Sequence, residues 1–371
     1  MKRLIISLLA LVTVTLACGK NLPATAYPTP KESVFDSDRT AYGFFPSPSE
    51  FTDKSLLATL QGIGEHGDVI LIQDALPWAG FLDGAGGDSQ SIQRQRNLTI
   101  LARQNGLETI FVIDPLNGLN RSQLAPLPPQ LANGNFGTPG VRTAFKNYAL
   151  RMVREFHPRY LGLASEINTY ADAHPDDFQN FVSLYHETYA AIKAESPDTQ
   201  VFVTFQWDDL NNAIPFDLTG GERYQTKWEQ IEVFEPNLDV WAISSYPFVA
   251  FDSAADIPPD YYTPLLTRTG KPLAVAEGGV NSRAIGQFHG TPQDQVDYLN
   301  AIHAQLGNRL SFWIYLILND IDGEAYRDFL AKNGMQANAD TILWFAAVGL
   351  RELDGTPKPA MQVWDGFRNN P

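Results

Sequence analysis

Short apolar runs alternate with helical segments along most of this chain, and this alternation limits the folds that it can adopt. Eight such runs occur, with the sequences AYGFFP (41–46), DVILIQD (68–74), ETIFVID (108–114), YLGLASE (160–166), QVFVTFQW (200–207), DVWAISSYPF (239–248), KPLAVAE (271–277) and RLSFWIYLI (309–317). Most of them are nearly continuous in Val, Ile, Leu and aromatic residues, which is typical of parallel strands covered on both faces. Eight strand–helix units predict an α/β fold of the (β/α)8 TIM-barrel type.

The segments between the runs carry helix signals. The pattern predicts a helix over 176–195 behind Pro175, with one apolar stripe, and another over 292–306, which Thr291 caps and Gly307 ends. An open doubly wound sheet is the structural rival, but the glycine-rich phosphate turn expected of it follows neither of the first two runs. We therefore expect a single barrel domain over 41–371.

The first twenty residues, MKRLIISLLALVTVTLACGK, have the pattern of an export signal. Lys2 and Arg3 precede an apolar core that is short for a membrane span, and small residues precede Cys18. This pattern resembles the lipobox of bacterial lipoproteins; the alternative is an ordinary secretory signal that contains a cysteine. The prediction is a signal peptide over 1–17, lipidation at Cys18 and a flexible tether over 18–40. The protein would then be exported and anchored to a membrane, at the cell surface or on the periplasmic face.

The amino-acid composition argues against several kinds of partner and several kinds of site. Cys18 is the only cysteine, so the predicted domain has no disulfide and no thiolate metal site. A formal charge of -15 argues against nucleic acid as a partner. The six histidines lack ligand spacing, so we expect no metal and no cofactor. The expected partner is a carbohydrate substrate, bound by a monomer.

Two glutamates, Glu166 and Glu277, end the fourth and the seventh run. A carboxylate at the C-terminal end of a barrel strand points toward the face where active sites of this fold lie. Two carboxylates that converge on one sugar are what glycosidic bond cleavage requires. Gly278 and Gly279 beside Glu277 would let a sugar approach. The alternative is that each glutamate pairs with a cation at a strand end.

With these glutamates the chain resembles clan A of the glycoside hydrolases, whose acid/base ends strand four and whose nucleophile ends strand seven. The resemblance implies a retaining reaction in which Glu166 is the acid/base and Glu277 is the nucleophile. ISSYPF (243–248) is similar to the strand-six segment of family 53 endo-β-1,4-galactanases, which implies that Tyr246 is a hydrogen-bond partner of Glu277. The match places Trp313, in SFWIYLILND, at the aromatic floor of the sugar subsite.

The chain also departs from that pattern. Ser165 stands where the clan has an Asn that contacts the sugar, and Asp74 stands where family 53 has an Arg. The candidate substrate contacts are Ser165, Asn168, Asp74, Trp78, Gln206, Trp207 and Trp313. Any single Trp among them could instead belong to the core. Asn120-Arg121-Ser122 matches a glycosylation sequon, which has little meaning in a bacterial protein.

The predicted function is hydrolysis of β-glycosidic bonds in a galactan-, mannan- or glucan-type saccharide. The first alternative is a lipoprotein that binds glycans with its aromatic residues and has no activity. The second is the substrate-binding lipoprotein of a transporter, which would need two lobes and a hinge.

Overall fold

The computed structural model describes residues 33–36, 38–84, 89–215, 222–332 and 339–369. The predicted signal peptide (1–17), Cys18 and most of the predicted tether lie outside these residues. At the end of the tether segment, Ser33 Oγ donates to the carboxylate of Glu108 at 2.8 Å, and Arg39 pairs with Asp68 at 2.9 Å. In the part of the chain that is described, no helix has the length and apolar character needed to cross a membrane.

Each of the eight apolar runs forms at least one strand. The strands are β1 Ala41–Phe44, β2 Val69–Ala75, β3 Glu108–Asp114, β4 Leu116–Asn117, β5 Asn120–Leu124, β6 Tyr160–Gly162, β7 Gln200–Phe202, β8 Thr204–Gln206, β9 Trp241–Ser245, β10 Leu273–Gly278 and β11 Leu310–Tyr315. The fifth run is interrupted at Val203 and forms two strands, β7 and β8. The main sheet therefore has nine strands, in the order β7-β6-β3-β2-β1-β11-β10-β9-β8.

Helices connect the strands throughout. They are α1 Asp53–His66, α2 Gln90–Gln104, α3 Pro139–Phe156, α4 Ile167–Ala173, α5 Pro175–Glu195, α6 Trp207–Leu210, α7 Glu229–Glu232, α8 Thr263–Arg268, α9 Pro292–Leu306, α10 Gly323–Lys332, α11 Ala339–Leu343 and α12 Pro359–Asn369. The two helices predicted from the sequence are α5 and α9. Thr291 caps α9, accepting from the Asp294 backbone N–H at 3.1 Å, and Gly307 follows its last residue.

The strands pair in parallel wherever their register is defined in the main sheet. Gly43 lies opposite Val69 between β1 and β2, and Tyr42 lies opposite Trp313 between β1 and β11. Parallel pairing places the C-terminal ends of the strands at one edge of the sheet, where Asp114 and Gln206 are the last residues of β3 and β8.

The chain divides into two compact units. Unit 1 consists of Ile72–Leu98 and Ile110–Ile243 in its described part, and unit 2 of the described residues of Val14–Leu71, Thr99–Thr109 and Ser244–Pro371. Glu166 belongs to unit 1, whereas Tyr246 and Glu277 belong to unit 2. Each unit buries its own set of strands under amphipathic helices such as α5 and α9.

A small antiparallel hairpin, β4–β5, was not predicted from the apolar runs. Its strands pair Leu116 with Leu124 and Asn117 with Asn120, around a turn in which Asn117 Oδ1 accepts from the Leu119 backbone N–H at 2.9 Å. The segment LNGLNRSQL is mostly polar, so it lacks the apolar run used to find strands. Its Asn-Gly pair is the local signal that favours a hairpin turn.

Candidate functional site

Glu166 in unit 1 is held in an unusual backbone conformation. It follows β6, directly precedes α4, and has φ 51° and ψ 44°, which is the left-handed region. Its backbone N–H donates to Thr204 Oγ1 at 2.8 Å, and the residue is fully buried. A non-glycine residue pays about 1–3 kcal/mol for such a conformation, and residues of this kind cluster at functional sites.

The carboxylate of Glu166 is next to a buried charged cluster formed by Asp114, Arg121 and Glu166 itself. Arg121 Nε donates to Glu166 Oε2 at 3.4 Å, and Arg121 Nη1 makes a very short contact with Asp114 Oδ2. Asp114 also accepts from the Leu116 backbone N–H at 3.1 Å and from Gln73 Nε2 at 3.2 Å. Burial raises the pKa of Asp114, although the charge and hydrogen bonds of Arg121 act against it.

Sequence reasoning missed Asp114 and Arg121. Asp114 ends an apolar run just as Glu166 and Glu277 do, so the same criterion could have identified it. Arg121 lies on β5, in the hairpin that the apolar runs did not predict. From the sequence it was identified only as the middle residue of a glycosylation sequon. A buried arginine beside two carboxylates supplies for Glu166 the cation expected in the pairing alternative.

Three of the predicted sugar contacts in unit 1 are engaged within the protein. Asn168 Oδ1 accepts from the Gln206 backbone N–H at 2.8 Å, and its Nδ2 donates to Asp209 Oδ2 at 2.7 Å. Gln206 Oε1 caps α6 by accepting from the Asp209 backbone N–H at 2.5 Å. Ser165 Oγ accepts from Thr204 Oγ1 at 3.4 Å and is buried. Asn168 and Gln206 thus join α4 to α6, and the direct sugar contact predicted for them stays a prediction.

The charged and aromatic candidates of unit 1 are likewise enclosed. Asp74 Oδ2 accepts from Ser91 at 2.7 Å and pairs with Arg94 at 3.1 Å, so Asp74 holds the beginning of α2. Trp78 is only 2% exposed, and Trp207 is fully buried against Trp228, with ring centroids 6.0 Å apart. That these rings bind sugars stays a prediction; in this structure both indoles are packed inside the protein.

Glu277 in unit 2 has a different environment. It is the next-to-last residue of β10 and is 2% exposed. Tyr246, just after β9, donates from Oη to Glu277 Oε1 at 2.5 Å, which is the contact implied by the family resemblance. A hydroxyl donor at this distance stabilises an ionised carboxylate and fixes its orientation.

Gly278 is required by packing rather than by a sugar. A Cβ at this position would lie 2.3 Å from Tyr298 Oη and 2.6 Å from the Ser245 carbonyl oxygen. Both distances are shorter than any real contact, so only glycine lets β10 approach its neighbours here. The packing of β10 therefore explains the glycine at position 278, whereas we expected it to give a sugar access to Glu277.

Trp313, for which the resemblance implied the aromatic floor of the sugar subsite, packs among other aromatic rings. Its ring is 1% exposed and packs on Trp364 of α12, with centroids 5.4 Å apart, and on Tyr42. Trp313 thus belongs to the packing between β11 and the last helix.

A different aromatic cluster adjoins Tyr246. It consists of Phe248, Phe288, Trp344 and Phe345. The Phe345 ring lies 5.0 Å from that of Tyr246, and Phe288 packs on Trp344 at 5.4 Å. Trp344 is partly exposed, whereas Phe345 is buried. The sequence search for aromatic residues at strand ends missed this cluster, because Trp344 and Phe345 lie far beyond the last strand.

No protein-family model matches the chain, and no curated protein matches it in sequence. Solved structures do resemble it. The exo-β-1,4-mannosidase Op5Man5 from Opitutaceae bacterium strain TAV5 has a TM-score of 0.63 and 15% identity, and the alignment covers 92% of this chain and 62% of that enzyme. This chain therefore spans less than two thirds of the mannosidase's length.

Two further structures show the same likeness. GH5_18 from Streptomyces cattleya, solved with GlcNAc, has a TM-score of 0.63 and 18% identity over 89% of this chain and 80% of its own. A family 39 glycoside hydrolase from the gut symbiont Bacteroides cellulosilyticus WH2 has a TM-score of 0.55 and 15% identity, over 89% of this chain and 64% of its own. With the parallel strand order, this likeness confirms the predicted (β/α)8-barrel fold.

Proposed function

We propose that this protein is a retaining β-glycoside hydrolase in which Glu277 is the nucleophile and Glu166 the acid/base. The observation that carries the proposal is the hydrogen bond from Tyr246 Oη to Glu277 Oε1, at the C-terminal end of a barrel strand. Glu166 supports it, because a buried carboxyl in a strained backbone conformation follows another strand of the same sheet. The fold is one that known glycosidases share.

The reaction has two displacements. Glu277 attacks the anomeric carbon while the glycosidic bond breaks and Glu166 gives its proton to the leaving oxygen. Glu166 then takes a proton from water, and that water attacks the same carbon and releases Glu277. Two inversions restore the original configuration, and the net consumption is one water molecule.

We propose a β-mannoside as the substrate class. Support comes from the structural neighbours: one is an exo-β-1,4-mannosidase, and a Glu-to-Ala variant of the Streptomyces cattleya GH5_18 was solved with Manβ1-4GlcNAc. The latter has a TM-score of 0.62 and 17% identity over 89% of this chain and 80% of its own. Trp344, the partly exposed ring of the cluster beside Tyr246, is the candidate for stacking on the sugar.

The alternative of a glycan-binding protein without activity loses support. The three tryptophans predicted to contact a glycan, Trp78, Trp207 and Trp313, are at most 2% exposed. A binding protein also has no use for a buried carboxylate oriented by a tyrosine hydroxyl.

A mechanism-based inactivator tests the proposal. We expect a 2-deoxy-2-fluoro-β-mannosyl fluoride to add one fluoromannosyl group to the protein, and peptide mass spectrometry to place it on Glu277. Glu277→Gln should remain folded, because Gln can still accept from Tyr246, and should lose about 10⁴-fold or more in turnover. Galactosyl and glucosyl fluorides serve as matched probes of the sugar class.

Several outcomes would contradict parts of the proposal. Labelling elsewhere, or normal turnover by Glu277→Gln, would reject the mechanism. If the galactosyl reagent alone labels Glu277, the proposed mechanism stands, the mannoside is rejected, and a galactan-type saccharide becomes the proposed substrate. A first product of inverted configuration, seen by proton NMR, would reject retention.

We also propose that the body is anchored through a lipid on Cys18, on the basis of the apolar leader and the small residues before this cysteine. Metabolic labelling with a radioactive fatty acid should mark the wild type and leave Cys18→Ser unlabelled. Equal labelling of the two would reject the anchor.

A further inference from the structure

Asn281 is a fully buried polar residue of unit 2 that the proposed reaction does not use. It follows Glu277 closely in the sequence, in the loop after β10. Its Nδ2 donates to the Trp344 carbonyl oxygen at 2.7 Å, and its Oδ1 accepts from the Ala347 backbone N–H at 3.2 Å. One side-chain amide thus joins the loop after β10 to both ends of the segment 344–347.

Further contacts hold the segment 344–347 against the same loop. The Ser282 backbone N–H donates to the Ala347 carbonyl oxygen at 2.9 Å. The Phe288 ring packs on the Trp344 ring, with centroids 5.4 Å apart. The segment therefore cannot shift without breaking contacts with the loop that carries the amide.

Phe345 lies inside this segment and contacts Tyr246. The Phe345 side chain is fully buried, and its ring lies 5.0 Å from that of Tyr246, with the two planes at 68°. Phe248 lies against both rings, at 5.6 Å from Phe345 and 6.0 Å from Tyr246. Edge-to-face packing of this kind is directional, so it favours one orientation of the Tyr246 ring.

The orientation of the Tyr246 ring determines where its hydroxyl lies. Oη is at the far end of the side chain and donates to Glu277 Oε1 at 2.5 Å. A small rotation of the ring therefore moves the donor away from the carboxylate. At a reacting centre, a misplacement of about 1 Å can cost about 100-fold in rate.

We infer that Asn281 and Phe345 are positioning residues that hold the Tyr246 hydroxyl on Glu277, an inference that rests on the proposed function. Asn281 fixes the backbone on either side of Phe345, and Phe345 fixes the ring of Tyr246. The loop that follows the proposed nucleophile thus supplies the amide that keeps its hydrogen-bond donor in place.

Phe345→Leu and Asn281→Leu test the inference with a 2,4-dinitrophenyl β-mannoside. Its leaving group needs no proton, so kcat/KM reports the attack by Glu277. We expect each variant to lower kcat/KM about 5- to 20-fold, because the donor is misplaced. In the Tyr246→Phe background each should change kcat/KM less than about twofold, because the hydroxyl that they position is already absent. A loss that persists in that background would show that the segment acts through Trp344 or through stability, and would overturn the inference.

Phe181→Leu is the matched control. Phe181 of α5 is also fully buried and packs on the rings of Phe136, at 4.9 Å, and Phe234, at 6.1 Å. Its replacement should lower the free energy of unfolding, as Phe345→Leu does, and leave kcat/KM unchanged. Equal losses of kcat/KM in Phe181→Leu and Phe345→Leu, or no loss in either, would overturn the inference.

A measurement without substrate separates this inference from the proposed function. A hydroxyl held on a carboxylate forms a short, strong hydrogen bond, and its proton gives a downfield NMR signal that exchanges slowly with water. The Tyr246 signal, identified by its absence in Tyr246→Phe, should move upfield or exchange faster in Asn281→Leu and in Phe345→Leu, and stay unchanged in Phe181→Leu. Either of the first two variants gives this measurement if the other does not fold.

The two proposals fail in different ways. An unchanged Tyr246 signal in Asn281→Leu and Phe345→Leu would overturn the inference even if the protein hydrolyses glycosides. A changed signal in a protein without hydrolase activity would support the positioning of the Tyr246 hydroxyl and reject only the proposed function.

Discussion

Glu166 lies just after β6 and Glu277 lies near the end of β10, yet the surroundings of the two residues differ in charge and in backbone geometry. Glu166 lies in the left-handed region next to a guanidinium that a second carboxylate shares. Glu277 lies within β10 and accepts a hydrogen bond from a tyrosine hydroxyl. Glu166 therefore lies beside a guanidinium, whereas Glu277 accepts a hydrogen bond from a hydroxyl.

This difference matches the different requirements of the two proposed roles. An acid/base gains and loses a proton in every turnover, so its surroundings must tolerate both states. A nucleophile must be ionised and correctly oriented, and a hydroxyl donor contributes to both.

The largest effect expected to distinguish the two glutamates is that of Glu166→Ala. We expect kcat/KM for a substrate with a sugar leaving group to fall about 10²–10⁴-fold, whereas a 2,4-dinitrophenyl glycoside should still form the glycosyl-enzyme. Added azide should then restore turnover and give a glycosyl azide of retained configuration. Equal losses on both substrates, with no azide product, would show that Glu166 is not the acid/base.

A smaller effect is expected for Tyr246→Phe. Removing a hydrogen bond to a charged group costs about 1.5–3 kcal/mol, which corresponds to about 10- to 150-fold in rate if Glu277 is the reacting carboxylate. The control is Tyr315→Phe, which loses a buried hydroxyl that donates to the Val348 carbonyl at 2.9 Å and does not contact Glu277 through a defined hydrogen bond. If both variants keep wild-type kcat, Tyr246 does not support a nucleophile.

The strands could be predicted from the sequence because an apolar run is a local property. The contacts of individual side chains could not be predicted so well, because they depend on residues that are distant in the sequence. Asn168 and Gln206 look like any polar residues near a strand end, and their mutual contact joins positions 38 residues apart in the sequence. In RLSFWIYLI every position except Arg309 and Ser311 is apolar or aromatic, so the sequence does not show which face Trp313 occupies. Arg121 was missed because it lies in a polar hairpin.

The smallest expected effect is a change in the free energy of unfolding. It distinguishes the backbone conformation of Glu166 from that of Glu277. Asn tolerates the left-handed conformation of residue 166 better than Glu does, so Glu166→Asn relieves backbone strain. We expect the free energy of unfolding to rise by about 1 kcal/mol in this variant, as strain stored at a functional residue is released. Glu277→Asn should lower it by about 1–3 kcal/mol, because the shorter side chain leaves the buried Tyr246 hydroxyl without that acceptor. Denaturant titration of both variants measures the change in the free energy of unfolding and its sign. A loss of stability in both variants would mean that the backbone conformation of Glu166 stores no strain.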